Sequence, residues 1–269
     1  MRLPSIEETS FDPFVASLRQ NDAEKYLSPK WGTNQKFINK RRFDFCIALL
    51  EKYLAGNKNK DTMVGDFACG TANVGISLAE KGYKVDLIEN EEKFYDYIKL
   101  KTDSNNINFI QSDVSQYCAK EKYTAIFLGE AIEHMEKPDE TLKLLCQNLK
   151  PGGILCLSTP NGDFVNCYEP NWSEVKDNTE RNAKLANTFG NHVCEFKPLE
   201  LKELVQMAGF CLLEHHLIQS QQICDSSIMR RIIPNKILWS IDKALSKKKD
   251  KSGKLWGMNQ VIVAQRARS

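Results

Sequence analysis

The sequence lacks any uninterrupted apolar run of about 18 residues, which is the length that a helix needs to cross a bilayer. Its first residues, MRLPSIEETSFDPF, also lack the continuous apolar core of a signal peptide. These two absences predict a protein that neither spans a membrane nor is exported.

Cysteine pairs with the spacing of metal or redox sites are missing as well. None of the nine cysteines forms a C-x-x-C pair or a metal-finger pattern, and most of them lie inside apolar runs. Cysteines of this kind behave as small buried hydrophobic residues in a reducing compartment. We therefore expect a cytoplasmic protein.

A strong charge of one sign is absent. The chain has 37 basic and 35 acidic residues and a net charge of +2, so no global electrostatic attraction to nucleic acid is predicted. Any basic surface must be local, as in the run KKKDK at 247–251.

Short apolar segments alternate with helical patterns from residue 61 onward. Seven of them read as strands: 62–68, 84–90, 107–113, 123–129, 154–160, 211–219 and 259–266. Helical patterns between strands require a parallel sheet with helices on both faces. The last strand follows a long excursion and is expected to pair antiparallel with its predecessor at the sheet edge. The sequence thus predicts an α/β fold with a doubly wound, seven-stranded, mostly parallel sheet.

Residues at successive strand ends suggest a nucleotide-like ligand. The turn DFACGTANVG after the first strand allows a close backbone approach at Gly70, in front of helix N-terminal amides. Glu89 ends the second strand, where a carboxylate can accept both ribose hydroxyls, and Asp113 ends the third. A nicotinamide dinucleotide fold shares this architecture, but it needs G-x-G-x-x-G, which this turn does not supply.

The region from about 61 to 160 resembles the class I S-adenosylmethionine-dependent methyltransferases. In that family the first turn reads acidic-x-G-x-G-x-G, and here Asp66 and Gly70 match while Ala68 and Ala72 replace two glycines. Glu89 and Asp113 match the acids of the next two strands, and Glu130 to His134 match the E-x-x-E-H that follows the fourth. The resemblance implies a Rossmann-like methyltransferase fold with S-adenosylmethionine as the cofactor.

The same resemblance implies roles for the cofactor residues. Asp66 would hold the amino end of the methionine moiety, Glu89 the ribose, and Asp113 with Val114 the adenine. The expected cofactor-binding set is Arg42, Asp66, Ala68, Cys69, Gly70, Glu89, Asn90, Asp113, Val114 and Gly129.

Arg42 enters through a second pattern upstream of the sheet. The stretch FINKRRFDF resembles the N-x-x-R of the ubiquinone-biosynthesis O-methyltransferase branch, with Asn39 and Arg42 at the matching positions. Arg42 would then bind the methionine carboxylate bidentately. The alternative is an exposed basic helix face.

The stretch YTAIFLGEAIEHMEKPDE places two glutamates and a histidine after the fourth strand. If a helix follows Gly129, then Glu130, Glu133 and His134 share one helical face. Methyl transfer to a hydroxyl needs an in-line nucleophile and a group that removes or weakens its proton. His134 is a candidate for that base, because an imidazole ordinarily has a pKa of about 6.5.

A metal-assisted alternative involves a later histidine. RNA 3′-terminal 2′-O-methyltransferases and ubiquinone O-methyltransferases resemble this sequence in an E-x-x-E-H followed by a distant histidine, here His192 ahead of Phe196. Glu130, Glu133, His134 and His192 would then bind a divalent cation, Mg or Zn, which would acidify a coordinated hydroxyl. Without a metal, the glutamates favour the helix dipole, and His134 and His192 remain the catalytic candidates.

The predicted domains are an N-terminal helical segment, 1–60, and a methyltransferase domain, 61–269, with insertions at 161–197 and 226–256. The first insertion has the length of a lid. Asn161, Tyr168, Trp172 and Phe189 either line the substrate or pack the lid onto the sheet. The second insertion mixes Ile, Leu and Trp with Arg and Lys, which fits a peripheral membrane contact, a homodimer contact or a solvated helix on the sheet edge.

The function predicted from these patterns is that of a methyltransferase, a transferase that O-methylates a small molecule, a sugar or a lipid-linked quinone precursor. Two alternatives stay open. One is a metal-assisted RNA 3′-end 2′-O-methyltransferase, which the near-neutral charge disfavours. The other is a non-catalytic scaffold that binds S-adenosylmethionine, for which the two alanine replacements are the only hint.

Overall fold

The computed structural model describes residues 1–27, 34–55, 62–188 and 190–268. The candidate lid residue Phe189 lies outside these described residues. Within them, no helix combines the length and the apolarity that a membrane span requires.

Seven strands form one sheet in the order β3-β2-β1-β4-β5-β7-β6. The strands are β1 Met63–Phe67, β2 Lys84–Glu89, β3 Ile107–Gln111, β4 Tyr123–Gly129, β5 Leu149–Pro160, β6 Phe210–Ser220 and β7 Gly257–Arg266. β1, β2 and β3 pair in parallel, whereas β6 and β7 pair antiparallel. The predicted α/β fold with an antiparallel last strand is confirmed. β7 lies between β5 and β6, so the edge position belongs to β6.

Twelve α-helices are present in the described residues. They are α1 Ile6–Thr9, α2 Pro13–Asp22, α3 Asn34–Leu54, α4 Asn73–Glu80, α5 Lys93–Lys101, α6 Pro138–Asn148, α7 Trp172–Val175, α8 Thr179–Ala186, α9 Pro198–Met207, α10 Gln221–Asp225, α11 Ser227–Ile232 and α12 Asn235–Ser246. A π-helix, Ala23–Leu27, continues α2. Local sequence determines where α2 begins. The Asp12 carboxylate before this helix accepts from the backbone N–H of Phe14 at 2.7 Å, and Pro13 takes the first helical position.

The segment after β4 differs from the expected helix. Glu130 adopts a left-handed backbone with a φ of 51°, and the 3-10 helix that follows contains only Ile132–His134. Because Glu130 lies before this short turn, the prediction that Glu130, Glu133 and His134 share one helical face is wrong. A glutamate with positive φ is unusual, and no sequence periodicity signals it.

The chain divides into two compact units. The first contains Met1–Phe127 and Gln147–Ile154. Its core is apolar and comes from β1, β2, α4 and α5: Val64, Phe67, Ile76, Leu78, Leu87, Ile88 and Ile98. The described N-terminal helices belong to this unit together with β1, β2 and β3.

The second unit contains Leu128–Cys146 and Leu155–Ser269. β6 and β7 pair along most of their length, and α9 and α12 pack on β6. The buried apolar side chains of these elements are Leu201, Val205, Leu238, Val261, Ile262 and Val263. Both predicted insertions, 161–197 and 226–256, lie in this unit.

Candidate active site

The turn after β1 bends through left-handed backbone. Ala68, Gly70 and Ala72 have φ values of 50°, 50° and 55°. Backbone hydrogen bonds hold the turn, from Cys69 N–H to Ile88 O at 3.1 Å and from Ala72 N–H to Cys69 O at 2.7 Å. Left-handed backbone favours glycine, since a Cβ crowds the neighbouring carbonyl. The two alanines therefore keep a glycine-type conformation at the positions where the family pattern has glycine.

Relief of this strain gives a testable stability prediction. Ala68→Gly should raise the free energy of unfolding by roughly 0.5 to 1 kcal/mol, because the left-handed penalty exceeds the entropy cost of glycine. The matched control is Ala16→Gly in α2, another partly buried alanine of the same unit. That change should destabilise by about 1 kcal/mol. Urea unfolding without cofactor measures both variants, and equal losses would contradict the left-handed assignment.

Glu89 connects the end of β2 to this turn. Its Oε2 accepts from Gly70 N–H at 2.9 Å, and its Oε1 accepts from Asn90 N–H at 2.9 Å. The pairing of Phe67 with Ile88 brings the strand ends level, which explains the contact. Burial of the side chain raises the pKa of Glu89. The carboxylate is thus fixed in direction and keeps acceptor capacity for ribose hydroxyls.

Asp66 is buried at the other side of the turn. Its Oδ2 accepts from Gly75 N–H at 2.8 Å, and a Cβ on Gly75 would lie 2.7 Å from that oxygen and 2.5 Å from Leu87. Gly75 is therefore needed for α4 to approach this close. Burial raises the pKa of Asp66 to about 8, and the charge of Glu89 adds to the effect. A cationic ligand group nearby would favour the ionised form.

A buried ion pair also contacts the turn after β1. Lys101 Nζ lies 2.7 Å from the Asp22 carboxylate, and both side chains are fully buried. The ammonium also donates to Thr71 O at 2.7 Å and to Asn73 Oδ1 at 2.9 Å. Asp22 accepts in addition from the Tyr97 hydroxyl at 2.8 Å. Sequence reasoning missed this network, since a lysine near the end of a helix reads as solvent-exposed.

The remaining predicted cofactor residues occupy varied positions. Asp113 is exposed two residues beyond β3, and its Oδ1 accepts from both the N–H and the hydroxyl of Ser115 at 2.7 Å. Val114 and Cys69 are half-buried and Asn90 is exposed. Arg42 is buried on α3, as is Asn39, so the alternative of an exposed basic helix face is wrong for Arg42.

In the second unit, three predicted residues come together. One ligand atom each from Glu133, His134 and His192 lies within 4.8 Å of the other two. The two imidazole rings meet edge to face, with centroids 4.8 Å apart and planes at 76°. We call these three residues the acid–histidine cluster. Within the described residues, the structure brings together three members of the predicted quartet.

Each imidazole of the cluster is oriented through its Nδ1. His134 Nδ1 lies 2.7 Å from the carbonyl oxygen of Asn191, so it must carry the proton and donate it, which leaves Nε2 as the basic nitrogen. His192 Nδ1 faces Glu195 Oε1 at 3.5 Å. Burial lowers the pKa of His134, whereas the neighbouring carboxylate of Glu195 raises the pKa of His192. Histidines that bind metals are oriented by outer carbonyls and carboxylates in this way.

Glu133 supplies the acid of the cluster from a buried position. Thr159 Oγ1 donates to its Oε2 at 2.8 Å, and its backbone carbonyl accepts from Val193 N–H at 2.7 Å. Burial raises the pKa of Glu133 to about 8, and the charge of Glu130 adds to the rise. Two imidazoles and one carboxylate form a donor set that suits a divalent transition metal. The residues present therefore fit a cation.

Glu130 is not among the three gathered ligand atoms. Its Oε2 accepts from Asn259 Nδ2 at 3.0 Å. Because the backbone at Glu130 is left-handed, this residue does not continue into the 3-10 helix that carries Glu133 and His134. Of the four predicted metal ligands, only Glu133, His134 and His192 have ligand atoms that lie together. Gly129, assigned to the cofactor set, ends β4 and is half-buried.

The candidate lid residues are placed unequally. Asn161 is buried, donating to Gly257 O at 2.8 Å and accepting from Asp163 N–H at 3.0 Å, which is a packing role. Trp172 is half-buried, and its ring centroid lies 6.2 Å from that of Phe196. Tyr168 is 90% exposed.

Comparisons with known proteins identify the family and the fold of this chain. A family model described as a methyltransferase domain matches residues 38–215. The ubiquinone biosynthesis O-methyltransferase of Rickettsia bellii (strain OSU 85-389) is 26% identical over 157 residues, which are 55% of this chain and 65% of that protein. The enzyme of the same name from Rickettsia canadensis (strain McKiel) is 25% identical over 220 residues, covering 74% and 86%. The chain thus spans about two thirds of the first of these relatives.

A solved structure shows the same fold. The S-adenosylmethionine-dependent methyltransferase from Archaeoglobus fulgidus superposes with a TM-score of 0.55 at 15% identity, covering 95% of this chain and all of that one. At this identity the similarity concerns the fold alone.

Proposed function

This chain belongs to the methyltransferase-domain family and is an S-adenosylmethionine-dependent methyltransferase, and from this premise we propose that it methylates a hydroxyl oxygen. The acceptor class is a small molecule, a sugar or a quinone precursor. The acid–histidine cluster is the observation that carries the proposal, because a hydroxyl, unlike an amine, must lose or weaken its proton to attack. The names of the Rickettsia relatives support oxygen as the acceptor atom.

On the donor side, S-adenosylmethionine supplies an activated methyl on its sulfonium. Glu89, fixed by Gly70 and Asn90, would accept from the ribose hydroxyls. Asp66 would lie near the ammonium of the methionine moiety, where its buried carboxyl gains a counter-charge. Arg42 would bind the carboxylate.

On the acceptor side, His134 is the base we propose. Its Nδ1 is occupied by Asn191 O, so Nε2 can take a proton from the hydroxyl, and burial keeps the ring neutral because it lowers the pKa. As the metal-assisted alternative, we propose that Glu133, His134 and His192 hold a divalent cation, in which case the His134 Nε2 is a ligand and not the base. When bound, that cation would acidify a coordinated hydroxyl.

Calorimetry tests both parts. S-adenosylhomocysteine is titrated into the protein, and Mg²⁺ or Zn²⁺ is then titrated separately, for wild type, His134→Ala and the control His216→Ala. His216 lies in β6, where its ring contacts Glu214, outside the cluster. Binding of S-adenosylhomocysteine by all three proteins is expected, with metal heat lost only in His134→Ala. Equal metal heats in all three proteins would rule out the proposed cation site. Failure to bind S-adenosylhomocysteine would overturn the proposed donor site.

The RNA 3′-end reaction is the second candidate, because it uses a similar set of acids and histidines. It predicts methylation of an RNA oligonucleotide with a steep loss of affinity as salt rises. A salt-independent KM on a neutral phenolic acceptor would instead favour the small-molecule reaction.

A further inference from the structure

Positive charge is concentrated in residues 226–256, which we call the basic insertion. It contains nine lysines and arginines and two aspartates, a net charge of +7 in a chain whose net charge is +2. The rest of the protein is therefore acidic overall. An unequal distribution of this kind indicates a local partner of negative charge.

The two aspartates of the basic insertion accept hydrogen bonds from other residues of the protein. Asp242 is buried and accepts from Gln219 N–H at 3.0 Å, and from the N–H and hydroxyl of Ser220 at 2.7 and 2.9 Å. Asp250 accepts from the N–H groups of Ser252 and Lys254, both at 2.9 Å. Neither carboxylate is directed to an external cation, so the charge that the basic insertion offers to a partner is of one sign.

Isoleucines of the same segment are exposed. Ile228 and Ile232 of α11 are 68% and 74% exposed, and Ile237 in the first turn of α12 is 55% exposed. Ile228 and Ile232 are four residues apart and share one helix face. Isoleucine is among the residues most often buried, so three exposed copies in one short segment require an explanation.

α12 is fixed to the protein by its other face. Leu238, Asp242 and Ser246, spaced by four residues, are buried, and the helix packs on β6. Lys247, Lys248 and Lys249 follow α12 and are exposed. Ile237 and the three lysines are therefore carried by, or directly follow, a helix that packs on the sheet, and Ile228 and Ile232 lie on α11 next to it.

We propose that the basic insertion binds an anionic membrane surface, with Ile228, Ile232 and Ile237 entering the interface and the lysines contacting the headgroups. Helices of this type bury a narrow apolar face at the acyl boundary, and each basic residue adds attraction to anionic lipid. A second copy of the chain fits less well, because two surfaces of charge +7 repel each other. RNA fits less well because single-stranded RNA is bound by stacking on aromatic rings, whereas the exposed apolar groups here are aliphatic.

The basic insertion is also connected to the lid at 161–197. Val165 N–H donates to Leu255 O at 2.9 Å, and Leu255 N–H donates to Asp163 O at 2.7 Å. Lys254 Nζ donates to Cys167 O at 3.4 Å. A bound membrane would thus lie close to the first residues of the lid, which suits a lipid-linked acceptor. That last consequence rests on the proposed function, whereas membrane binding itself does not.

Vesicle flotation with the full chain tests the inference. Vesicles of phosphatidylcholine alone are compared with vesicles that also contain phosphatidylglycerol, at low and high NaCl. Binding is expected only with phosphatidylglycerol and should weaken with salt. The triple variant Lys247→Ala, Lys248→Ala, Lys249→Ala should reduce the partition coefficient on the order of 100-fold. Ile228→Ser with Ile232→Ser should reduce it by roughly tenfold or more.

The matched control is Leu199→Ser with Met207→Ser. These α9 residues are 70% and 76% exposed but lie outside the basic insertion, so their loss should leave binding unchanged. Equal binding to both vesicle types, or equal loss in the control, would overturn the proposal. An RNA oligonucleotide that binds through the same lysines without any vesicle binding would overturn it in favour of RNA. A dimer that dissociates in the isoleucine variant would overturn it in favour of self-association. Vesicle binding needs no turnover, so its failure is separable from failure of the methyl transfer assay.

Discussion

Methyl transfer is expected to slow by roughly 10²- to 10⁴-fold in His134→Ala, the range by which a positioned base accelerates a reaction. His134 is singled out because its Nδ1 is held by Asn191 O at 2.7 Å, which presents Nε2 in a fixed direction. Formation of S-adenosylhomocysteine with a phenolic quinone precursor measures the rate. The loss should appear in kcat, with the affinity for S-adenosylhomocysteine unchanged.

Two comparisons make this prediction specific. His215→Ala alters a histidine of β6 that pairs with Gln260, and it should keep wild-type kcat. Glu133→Gln keeps the shape of the acid but cannot ionise to the carboxylate that would bind a cation, so it should abolish any stimulation by a divalent cation. If His134→Ala retains the wild-type rate, the cluster is a packing feature and the acceptor needs no base.

Lys101→Met should destabilise the protein by about 3 to 5 kcal/mol, the cost of leaving one partner of a buried pair without its counter-charge. Asp22 would then be a fully buried acid without a counter-charge, contacted only by neutral donors such as the Tyr97 hydroxyl. Thr71 O and Asn73 Oδ1 would also lose their donor. Urea unfolding measures the loss, and affinity for S-adenosylhomocysteine should fall because the turn loses its support.

The double variant Asp22→Asn, Lys101→Met is the decisive comparison. It has no charge at either position of the pair and keeps an amide oxygen that can accept from the Tyr97 hydroxyl, so it should recover most of the lost stability. Lys99→Met is the surface control: Lys99 is mostly exposed, 3.6 Å from Asp96, and its loss should change the free energy of unfolding by no more than about 0.5 kcal/mol. A double variant as unstable as Lys101→Met would show that charge burial is not the cause.

The fold was largely predictable because strand and helix periods are local properties of the sequence. β4, Tyr123–Gly129, was predicted with the correct bounds, and Glu89 was correctly placed at the end of β2. The prediction for β5 began five residues late, because PGG reads as a turn although the strand starts at Leu149. Backbone pairing with neighbouring strands decides such bounds, and no local pattern reports it.

The site was predictable only in part, for physical reasons that differ between residues. His192 was found through a remote resemblance, yet its partner Glu195 and the carbonyl of Asn191 were not, since orienting contacts depend on tertiary geometry. Glu130 was misplaced because its left-handed φ breaks the assumed helix. Lys101 was overlooked because the partner that permits its burial, Asp22, lies 79 positions earlier.

The first unit is built from two separate stretches of the chain, which affects its folding during synthesis and its truncation. Gln147–Ile154 belongs to that unit, although 19 residues of the other unit, Leu128–Cys146, precede it. Within this short return, Asn148 accepts from Ala119 N–H at 2.6 Å and donates to Tyr117 O at 2.9 Å, while Gln147 O accepts from Glu121 N–H at 2.9 Å. A ribosome must therefore translate through residue 154 before the first unit has all its parts, and a fragment that ends at residue 127 lacks one of the two stretches of this unit.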